Sequence, residues 1–250
     1  MKKIFFSVVA FFMFSVITFS KIAVMGAMDE EIDLLKKGMK DVKETKIGRI
    51  VYYEGNLDGK EIVLFKSGVG KVNATIGADV AIREFKVDKI IFTGIAGAID
   101  KNLNIADIVI AKGLVQHDFD CTAFGSPLGL VEGEKEVIFK SSKELIEIAR
   151  KAAINVVGED RVKLGIIATG DQFITNRKKV QKIGAIFNAK AVEMEGAAVA
   201  QVSQIYGIPF VVLRSISDKA DDSSHMDYPK FKIIAANNSA RIVKLMLKNI

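Results

Sequence analysis

Two glutamates separated by one residue form the stretch of this sequence best suited to chemistry. Glu193 and Glu195 lie in the segment AVEMEGAA, residues 191–198, between an apolar run and a run of small residues. If the apolar run is a strand and the small residues begin a helix, strand alternation places both acids on one side of the strand end. Open α/β sheets bind ligands there, where carboxylates can transfer protons. A solvated loop carrying two acids is the alternative interpretation.

Two further apolar runs end in polar or charged residues. One ends in RSISD at residues 214–218, and the first run of the chain ends in MGAMDEE at residues 25–31. Packing does not explain three such strand ends, whereas a shared site at the edge of a sheet does. Asp29 and Glu30 are also ordinary acids for the first turn of a helix. Glu31 can face either way.

Strand and helix patterns alternate through most of the chain. Strands are predicted at residues 22–27, 50–53, 61–66, 88–92, 105–112, 162–168, 189–192 and 209–214. Helices are predicted at residues 71–85, 141–156, 177–186 and 196–206, with a helix start after residue 28 and the end of the last helix at residues 239–247. This alternation predicts an α/β fold with a mostly parallel sheet. No internal repeat or interdomain linker interrupts residues 21–250, so we expect a single domain there.

The segment SGVGK at residues 67–71 has two possible meanings. Glycines and a lysine before a helix can form a phosphate cradle, but their spacing matches neither the dinucleotide fingerprint nor the P-loop. A tight turn between strand and helix is the interpretation that we favour. The irregular segment 117–127 mixes aromatic and acidic residues and could bind a ligand or cover a partner subunit. With two histidines in the whole sequence, no metal site is expected at His117.

Composition describes a globular protein with a leader. Half of the 250 residues are hydrophobic, 26% are charged and the formal net charge is +6, without the basic blocks of a nucleic-acid-binding protein. Residues 1–20 combine two lysines, an apolar run and small residues near Ser20, which predicts a secretory signal peptide. An uncleaved anchor and a misassigned start codon are the alternatives. The single cysteine, Cys121, has no internal disulfide partner, and we interpret it as a packing residue.

Six motifs in order identify a family. The sequence resembles the bacterial 5′-methylthioadenosine/S-adenosylhomocysteine nucleosidases of the purine nucleoside phosphorylase fold across residues 21–250. The motifs are IAVMGAMDEE (22–31), SGVGK (67–71), TGIAG (93–97), TGDQFI (169–174), VEME (192–195) and RSISD (214–218). The resemblance implies a single-domain, three-layer α/β fold with a central mixed, partly closed sheet flanked by helices. It also implies a homodimer and no cofactor.

The resemblance also implies a role for each matching residue. Glu31 accepts a proton from the attacking water, and Asp218 protonates N7 of the purine. Met194 and Glu195 hold the ribose, Glu195 through the 2′-hydroxyl. Other implied contacts are the base-binding Phe173 and Ile174, Gly97 where the backbone approaches the ligand, Arg214 and Ser217 as residues that orient the acids, and Val69, Phe124 and Tyr228 around the sugar and its 5′ substituent. Phe124 belongs to residues 121–127, which line the 5′ pocket partly across the dimer.

Two positions depart from the family pattern. Ile95 stands where many members have serine, which removes one polar group near the water. Tyr228 stands where a phenylalanine is common, a difference that the site should tolerate.

The acids also favour one chemistry over another. A phosphorylase holds phosphate where the nucleophile lies and needs cationic or backbone donors there, whereas this chain has Asp29, Glu30 and Glu31. We therefore expect hydrolysis rather than phosphorolysis. A 6-amino-6-deoxyfutalosine hydrolase, and an exported nucleoside-binding or adhesive protein on the same scaffold, are the other hypotheses. Export by the signal peptide would place the enzyme outside the cytoplasm, whereas its usual relatives work inside the cytoplasm.

Overall fold

The computed structural model describes residues 20–220 and 224–250, with no side-chain description for residues 224–226. The predicted signal peptide, apart from Ser20, lies outside these residues. Ten strands are described: β1 (Ile22–Gly26), β2 (Lys40–Ile47), β3 (Ile50–Leu57), β4 (Lys60–Lys66), β5 (Lys89–Ala98), β6 (Ile108–Gln116), β7 (Phe139–Lys140), β8 (Val162–Thr169), β9 (Ala189–Glu193) and β10 (Phe210–Asp218). The α-helices are α1 (Asp29–Lys36), α2 (Lys71–Phe85), α3 (Lys143–Val157), α4 (Arg177–Phe187), α5 (Gly196–Tyr206) and α6 (Ser224–Leu247). Within the described residues, no helix is long and apolar enough to cross a bilayer.

The strands form one mixed sheet that partly closes on itself. The order β10-β6-β8-β9-β5 returns to β10, because β5 also pairs with β10. From β5 the sheet continues through β1, β4, β3 and β2, while the short β7 pairs with β6. Among the described strand pairs, five are parallel and five are antiparallel. The mixed, partly closed sheet is confirmed, and the mostly parallel sheet that alternation alone predicted is wrong.

One edge of β5 is shared by two strands that do not meet. Residues 89–92 of β5 pair with β1 in parallel. Gly97 and Ala98 pair with β9 in the antiparallel sense, opposite Val192 and Ala191. Residues 93–96 therefore have neither strand beside them on this edge, which leaves an opening in the sheet. Strands β1 and β9 both end at this opening. Such an opening can admit a ligand between two strand ends.

Helices cover both faces of the sheet, which gives the three layers expected. On β1, Ala23 and Met25 belong to the apolar cluster that buries α2 and α5. Ile22 and Val24 belong to the cluster that buries α1, α3 and α6. This alternation along one strand is what two covered faces require, and it explains why β1 is apolar throughout.

Three elements differ from the sequence-based prediction. Strand β2 was not predicted, because most of its residues are exposed and it is held only by pairing with β3 at the end of the sheet. The two-residue β7 is too short to leave a pattern. Helix α6, of which only the final part at residues 239–247 was predicted, begins at Ser224 and contains Pro229, a residue that normally indicates the end of a helix.

Candidate active site

A cleft opens between the ends of β1, β9 and β10. It encloses about 460 Å³ of space, part of it open to solvent. It is lined by Ala27, Met28, Glu31, Val69, Ile95, Ala96, Gly97, Phe173, Val192, Glu193, Met194, Glu195, Ser217, Asp218 and Tyr228. Four of these residues are acids, and none is lysine or arginine. The polar strand ends predicted to share one site therefore meet.

Glu31 lies in the first turn of α1 and is held by backbone donors alone. Its Oε2 accepts hydrogen bonds from the backbone N–H groups of Ala27 at 2.6 Å and Met28 at 3.1 Å. Its Oε1 accepts from the N–H of Ile95 at 3.0 Å, on the stretch of β5 that lies between its pairings with β1 and β9. Burial raises the pKa of Glu31, although Arg214 and these hydrogen bonds oppose the shift. The carboxylate is thus fixed in place and is more basic than an exposed one.

Glycine at position 94 makes room for this arrangement. A Cβ there would lie 2.6 Å from Glu31 Oε1 and 2.9 Å from Arg214 Nη1. The acid and the guanidinium therefore pack directly against the backbone of β5, and any larger residue would displace one of them.

Glu193, at the end of β9, is fully engaged by the protein. Its Oε2 lies 2.6 Å from Nη2 of Arg214, and both side chains are buried. The same carboxylate accepts from the N–H of Gly196 at 2.7 Å and from the hydroxyl of Thr169. The guanidinium of Arg214 also stacks on the ring of Phe92, with its carbon 4.0 Å from the ring centre. Arg214 thus lies behind the cleft and acts on it through Glu193.

The side chain of Glu195, at the start of α5, makes one hydrogen bond to the described part of the chain. Its Oε1 accepts from the backbone N–H of Gly70 at 2.8 Å. Burial, and next the nearby charge of Glu193, raise the pKa of Glu195 to about 8. This acid keeps one oxygen available to a ligand, whereas both oxygens of Glu193 are bound to the protein.

Asp218 is buried at the end of β10, on the far side of the cleft. Its Oδ1 accepts from the N–H of Ala220 at 2.8 Å, and Ser217 Oγ donates to its Oδ2 at 2.8 Å. A Cβ on Gly97 would lie 2.9 Å from Asp218 Oδ1 and 2.8 Å from the Cβ of Ala220. Gly97 therefore makes room for the acid itself.

Aromatic and apolar side chains complete the cleft. The rings of Phe173 and Tyr228 meet edge to face with centroids 5.5 Å apart. The hydroxyl of Tyr228 contacts the sulfur of Met28 at 2.9 Å. Ile174 is buried beside the cleft, in a smaller adjoining cavity of about 250 Å³ that Asp218 and Met194 also line. A flat ring could enter between these apolar groups and the acid.

The start of α2 is a tight turn in which two successive N–H groups are already in use. Gly68 and Gly70 have positive φ angles of 91° and 98°, which favour glycine. The N–H groups of Gly70 and Lys71 bind the carboxylates of Glu195 and Asp171, and Lys71 Nζ pairs with Asp118. The SGVGK motif therefore forms the tight turn that we favoured. Its donors that already bind carboxylates are not available to form a phosphate cradle.

The other acids of the first turn face away from the cleft. Asp29 pairs with Lys66 at 2.8 Å, and Glu30 pairs with Lys232. Of the three consecutive acids, Glu31 alone lines the cleft. Within the described residues, no group of three His, Cys, Asp or Glu side chains could hold a metal.

Most of the predicted site residues come together, and two lie elsewhere. Arg214 is buried behind the cleft, and Phe124 lies on a short 3₁₀ turn with 89% of its surface exposed, outside the cleft of its own chain. The prediction that Phe124 lines a pocket across a dimer stays a prediction. Sequence reasoning missed the ion pair between Glu193 and Arg214 and the backbone donor Gly70. The signal for the first was an arginine inside an otherwise apolar strand.

Comparisons with known proteins agree with this geometry. A family model described as the phosphorylase superfamily matches residues 21–248. A 5′-methylthioadenosine/S-adenosylhomocysteine nucleosidase of Lysinibacillus sphaericus is 40% identical over 224 residues, 89% of this chain and 96% of its own length. An aminodeoxyfutalosine nucleosidase of Campylobacter jejuni is 41% identical over 232 residues, 92% of this chain and 99% of its own.

A solved structure shares the fold closely. The 5′-methylthioadenosine/S-adenosylhomocysteine nucleosidase of Neisseria meningitidis, in complex with methylthio-immucillin-A, has a TM-score of 0.89 and 42% identity, covering 92% of this chain and all of that one. The futalosine hydrolase of Helicobacter pylori has a TM-score of 0.88 and 38% identity, covering 92% and 98%. The family recognised from the six motifs is confirmed, and the chain belongs to the phosphorylase superfamily.

Proposed function

We propose that this protein hydrolyses the N-glycosidic bond of 5′-methylthioadenosine and S-adenosylhomocysteine, releasing adenine and the corresponding thio-ribose. The observation that carries this proposal is a cleft with four acids and no cationic side chain in its lining. The similarity to nucleosidases along almost the whole matched length supports the same reaction.

Glu31 is the proposed general base. Water attacks C1′ of the ribose while its proton passes to Glu31. The three backbone hydrogen bonds hold this carboxylate still, and its raised pKa makes it a better proton acceptor. Proton transfer of this kind typically contributes about 10²–10⁴-fold in rate.

Asp218 is the proposed general acid. When the bond between C1′ and N9 breaks, its electrons pass to the purine, and a proton from Asp218 to N7 makes adenine a neutral leaving group. Ser217 and the N–H of Ala220 orient this carboxyl. The cavity lined by Phe173, Ile174 and Asp218 has the apolar walls that a purine needs.

Glu195 is proposed to bind the sugar through its second oxygen. The transition state has oxocarbenium character, so Glu195 stabilises the positive charge by accepting a hydrogen bond from the 2′-hydroxyl, and does so most strongly in its ionised form. Met194 packs beside it, and Val69 and Tyr228 lie at the cleft. Arg214 forms its ion pair with Glu193, at 2.6 Å.

Hydrolysis is favoured over phosphorolysis by the same geometry. A phosphate nucleophile would need cationic or free backbone donors, and the N–H groups at the start of α2 hold Glu195 and Asp171 instead. The acids at positions 29 and 30 contribute little to this preference, since lysines pair with both.

A second substrate remains a candidate for a specific reason. The relative named aminodeoxyfutalosine nucleosidase is as similar to this chain as the relatives named for methylthioadenosine. The same acids would cleave the same bond in 6-amino-6-deoxyfutalosine, which differs at the 5′ position. An abandoned enzyme scaffold that only binds nucleosides is the third hypothesis, and the retained acids argue against it.

We further propose that the protein is a homodimer. The neighbouring helices α2 and α5 expose four apolar side chains, namely Val72, Ile76, Ile205 and Tyr206. Such a patch indicates a protein interface, and a second copy would cover it. Light scattering on the purified protein should give twice the chain mass, and Ile76→Asp should give the single mass. A single mass for the wild type would contradict the dimer.

Export is the remaining proposal, and it rests on residues 1–20. The family match begins at residue 21, next to the predicted cleavage site. An exported enzyme would salvage nucleosides from outside the cell, whereas a cytoplasmic one would serve methionine recycling. Cell fractionation with N-terminal sequencing distinguishes them, since an intact Met1 confined to the cytoplasm would exclude export.

The first experiment identifies the products from methylthioadenosine, without and with phosphate. We expect adenine and free methylthioribose in both reactions. If ribose 1-phosphate derivatives form, and only when phosphate is present, the enzyme is a phosphorylase and not a hydrolase. No adenine in either reaction, but cleavage of 6-amino-6-deoxyfutalosine, would select the second substrate, and binding without turnover would select the third hypothesis.

A further inference from the structure

Two consecutive backbone N–H groups at the start of α2 hold two different carboxylates. The N–H of Gly70 donates to Glu195 Oε1 at 2.8 Å. The next N–H, that of Lys71, donates to Asp171 Oδ1 at 2.8 Å. The two donors are separated only by the φ and ψ angles of Gly70, so while that residue keeps its conformation, a shift in the anchor of one donor moves the other. Asp171 is therefore tied to Glu195 through one turn of backbone.

Asp171 is itself held by a second acid. Its backbone N–H donates to Asp118 Oδ2 at 2.9 Å, and Asp118 Oδ1 pairs with Lys71 Nζ at 2.7 Å. The same ammonium also donates to the side chain of Gln116 at 3.2 Å. These contacts form a closed cycle through Lys71, Asp118 and Asp171, at the ends of β6 and β8 and the start of α2.

The close fit at Gly70 supports a fixed geometry. Gly70 has a φ of 98°, and a Cβ there would lie 3.1 Å from Asp171 Oδ1. The turn thus brings the carboxylate against the backbone, in a conformation that side-chain-bearing residues rarely adopt. Asp171 also precedes Phe173 by two residues, so its loop carries the proposed base-binding ring.

We infer that Asp171 is a positioning residue, which orients Glu195 toward the sugar by anchoring the first turn of α2. It couples the loop that receives the base to the carboxylate that receives the 2′-hydroxyl. Asp118 and Lys71 hold Asp171 in turn. This inference rests on the proposed function, since it assigns Glu195 to the sugar, but it adds a residue outside the lining of the cleft.

The test compares two substrates that differ only at the 2′ position. The ratio of kcat/KM for methylthioadenosine to that for its 2′-deoxy analogue measures the contribution of the 2′-hydroxyl. In Asp171→Ala we expect this ratio to fall about 10-fold, because small displacements of a positioned group cost that much or more. Asp171→Asn keeps an acceptor oxygen and should retain most of the preference.

A matched control removes a similar acid elsewhere. Asp100 also accepts a backbone N–H, from Asn102 at 3.0 Å, and pairs with a lysine, Lys190, at 2.8 Å. Asp100→Ala should therefore leave the ratio unchanged. If Asp171 only secures its loop, Asp171→Ala will slow both substrates by the same factor, and that result would overturn the inference.

A double substitution tests the route of the effect. In a Glu195→Gln background, the further change Asp171→Ala should lower kcat/KM by less than 2-fold, because the residue that it positions is already impaired. A full 10-fold additional loss would show that Asp171 acts independently of Glu195 and would contradict us. Failure of the wild type to cleave either nucleoside would instead refute the proposed function, and this inference with it.

Discussion

The first turn of α1 and the end of β9 each carry a buried glutamate into the same cleft, but the charge of each glutamate has different partners. Glu31 is held by three backbone N–H groups and forms no ion pair with any described residue. Glu193 is instead paired with the guanidinium of Arg214 at 2.6 Å. A backbone-held carboxylate stays available for proton transfer, whereas an ion-paired one is bound to the protein.

The comparison separates a reactive acid from an architectural one. Burial raises the pKa of Glu31, and the direct contact with Arg214 compensates the charge of Glu193 instead. The two residues are similar in type and burial, so their partners distinguish their roles. Each prediction below tests one side of this contrast.

Removing the base should have the largest effect. Glu31→Gln keeps the shape of the side chain but cannot accept the proton, so we expect kcat to fall by about 10²–10⁴-fold. Steady-state release of adenine measures this loss, and circular dichroism verifies the fold. A loss below 10-fold would mean that Glu31 is not the general base.

Removing the cation should instead cost stability. Arg214→Met leaves the carboxylate of Glu193 buried without its partner, which typically costs about 3–5 kcal/mol. Denaturant unfolding measures the change. Arg150→Met breaks an exposed pair with Glu159 and should cost about 1 kcal/mol or less. Equal costs for the two variants would contradict the role assigned to Arg214.

Stability should also depend on pH through Glu195. Its pKa is raised from 4.5 to about 8 in the folded state, so the folded protein retains this proton to higher pH than the unfolded chain. The resulting stabilisation is fully present below the unfolded value and is lost as pH rises through the folded one. The free energy of unfolding should therefore fall less between pH 5 and 8 in Glu195→Gln than in the wild type. Parallel pH profiles would disprove this linkage.

The smallest effect is expected one residue before the base. Glu30 faces away from the cleft and pairs with Lys232 at the surface. Glu30→Gln should change kcat less than 2-fold and stability by about 0–1 kcal/mol. The same assays as for Glu31→Gln apply, and a large loss of activity would mean that the acidic turn acts as a unit.

Much of the site was predictable because polar residues at the ends of apolar strands are conspicuous. Glu31, Glu195 and Asp218 follow β1, β9 and β10, and the sheet brings these ends together. The weak edge strand β2 was not predictable, since pairing rather than burial holds it. The first half of α6 was not predicted, because Pro229 within it normally indicates the end of a helix.

The sequence alone determined which strand ends carry acids and, through six motifs, the family to which the chain belongs. Only the tertiary structure decided that Glu193 pairs with a cation and that Glu31 is held by backbone N–H groups. The decisive hydrogen bonds join distant residues, as between Gly70 and Glu195 or Lys71 and Asp171, which are 125 and 100 positions apart. No local pattern encodes such contacts, because they exist only once the sheet has closed and its loops have met.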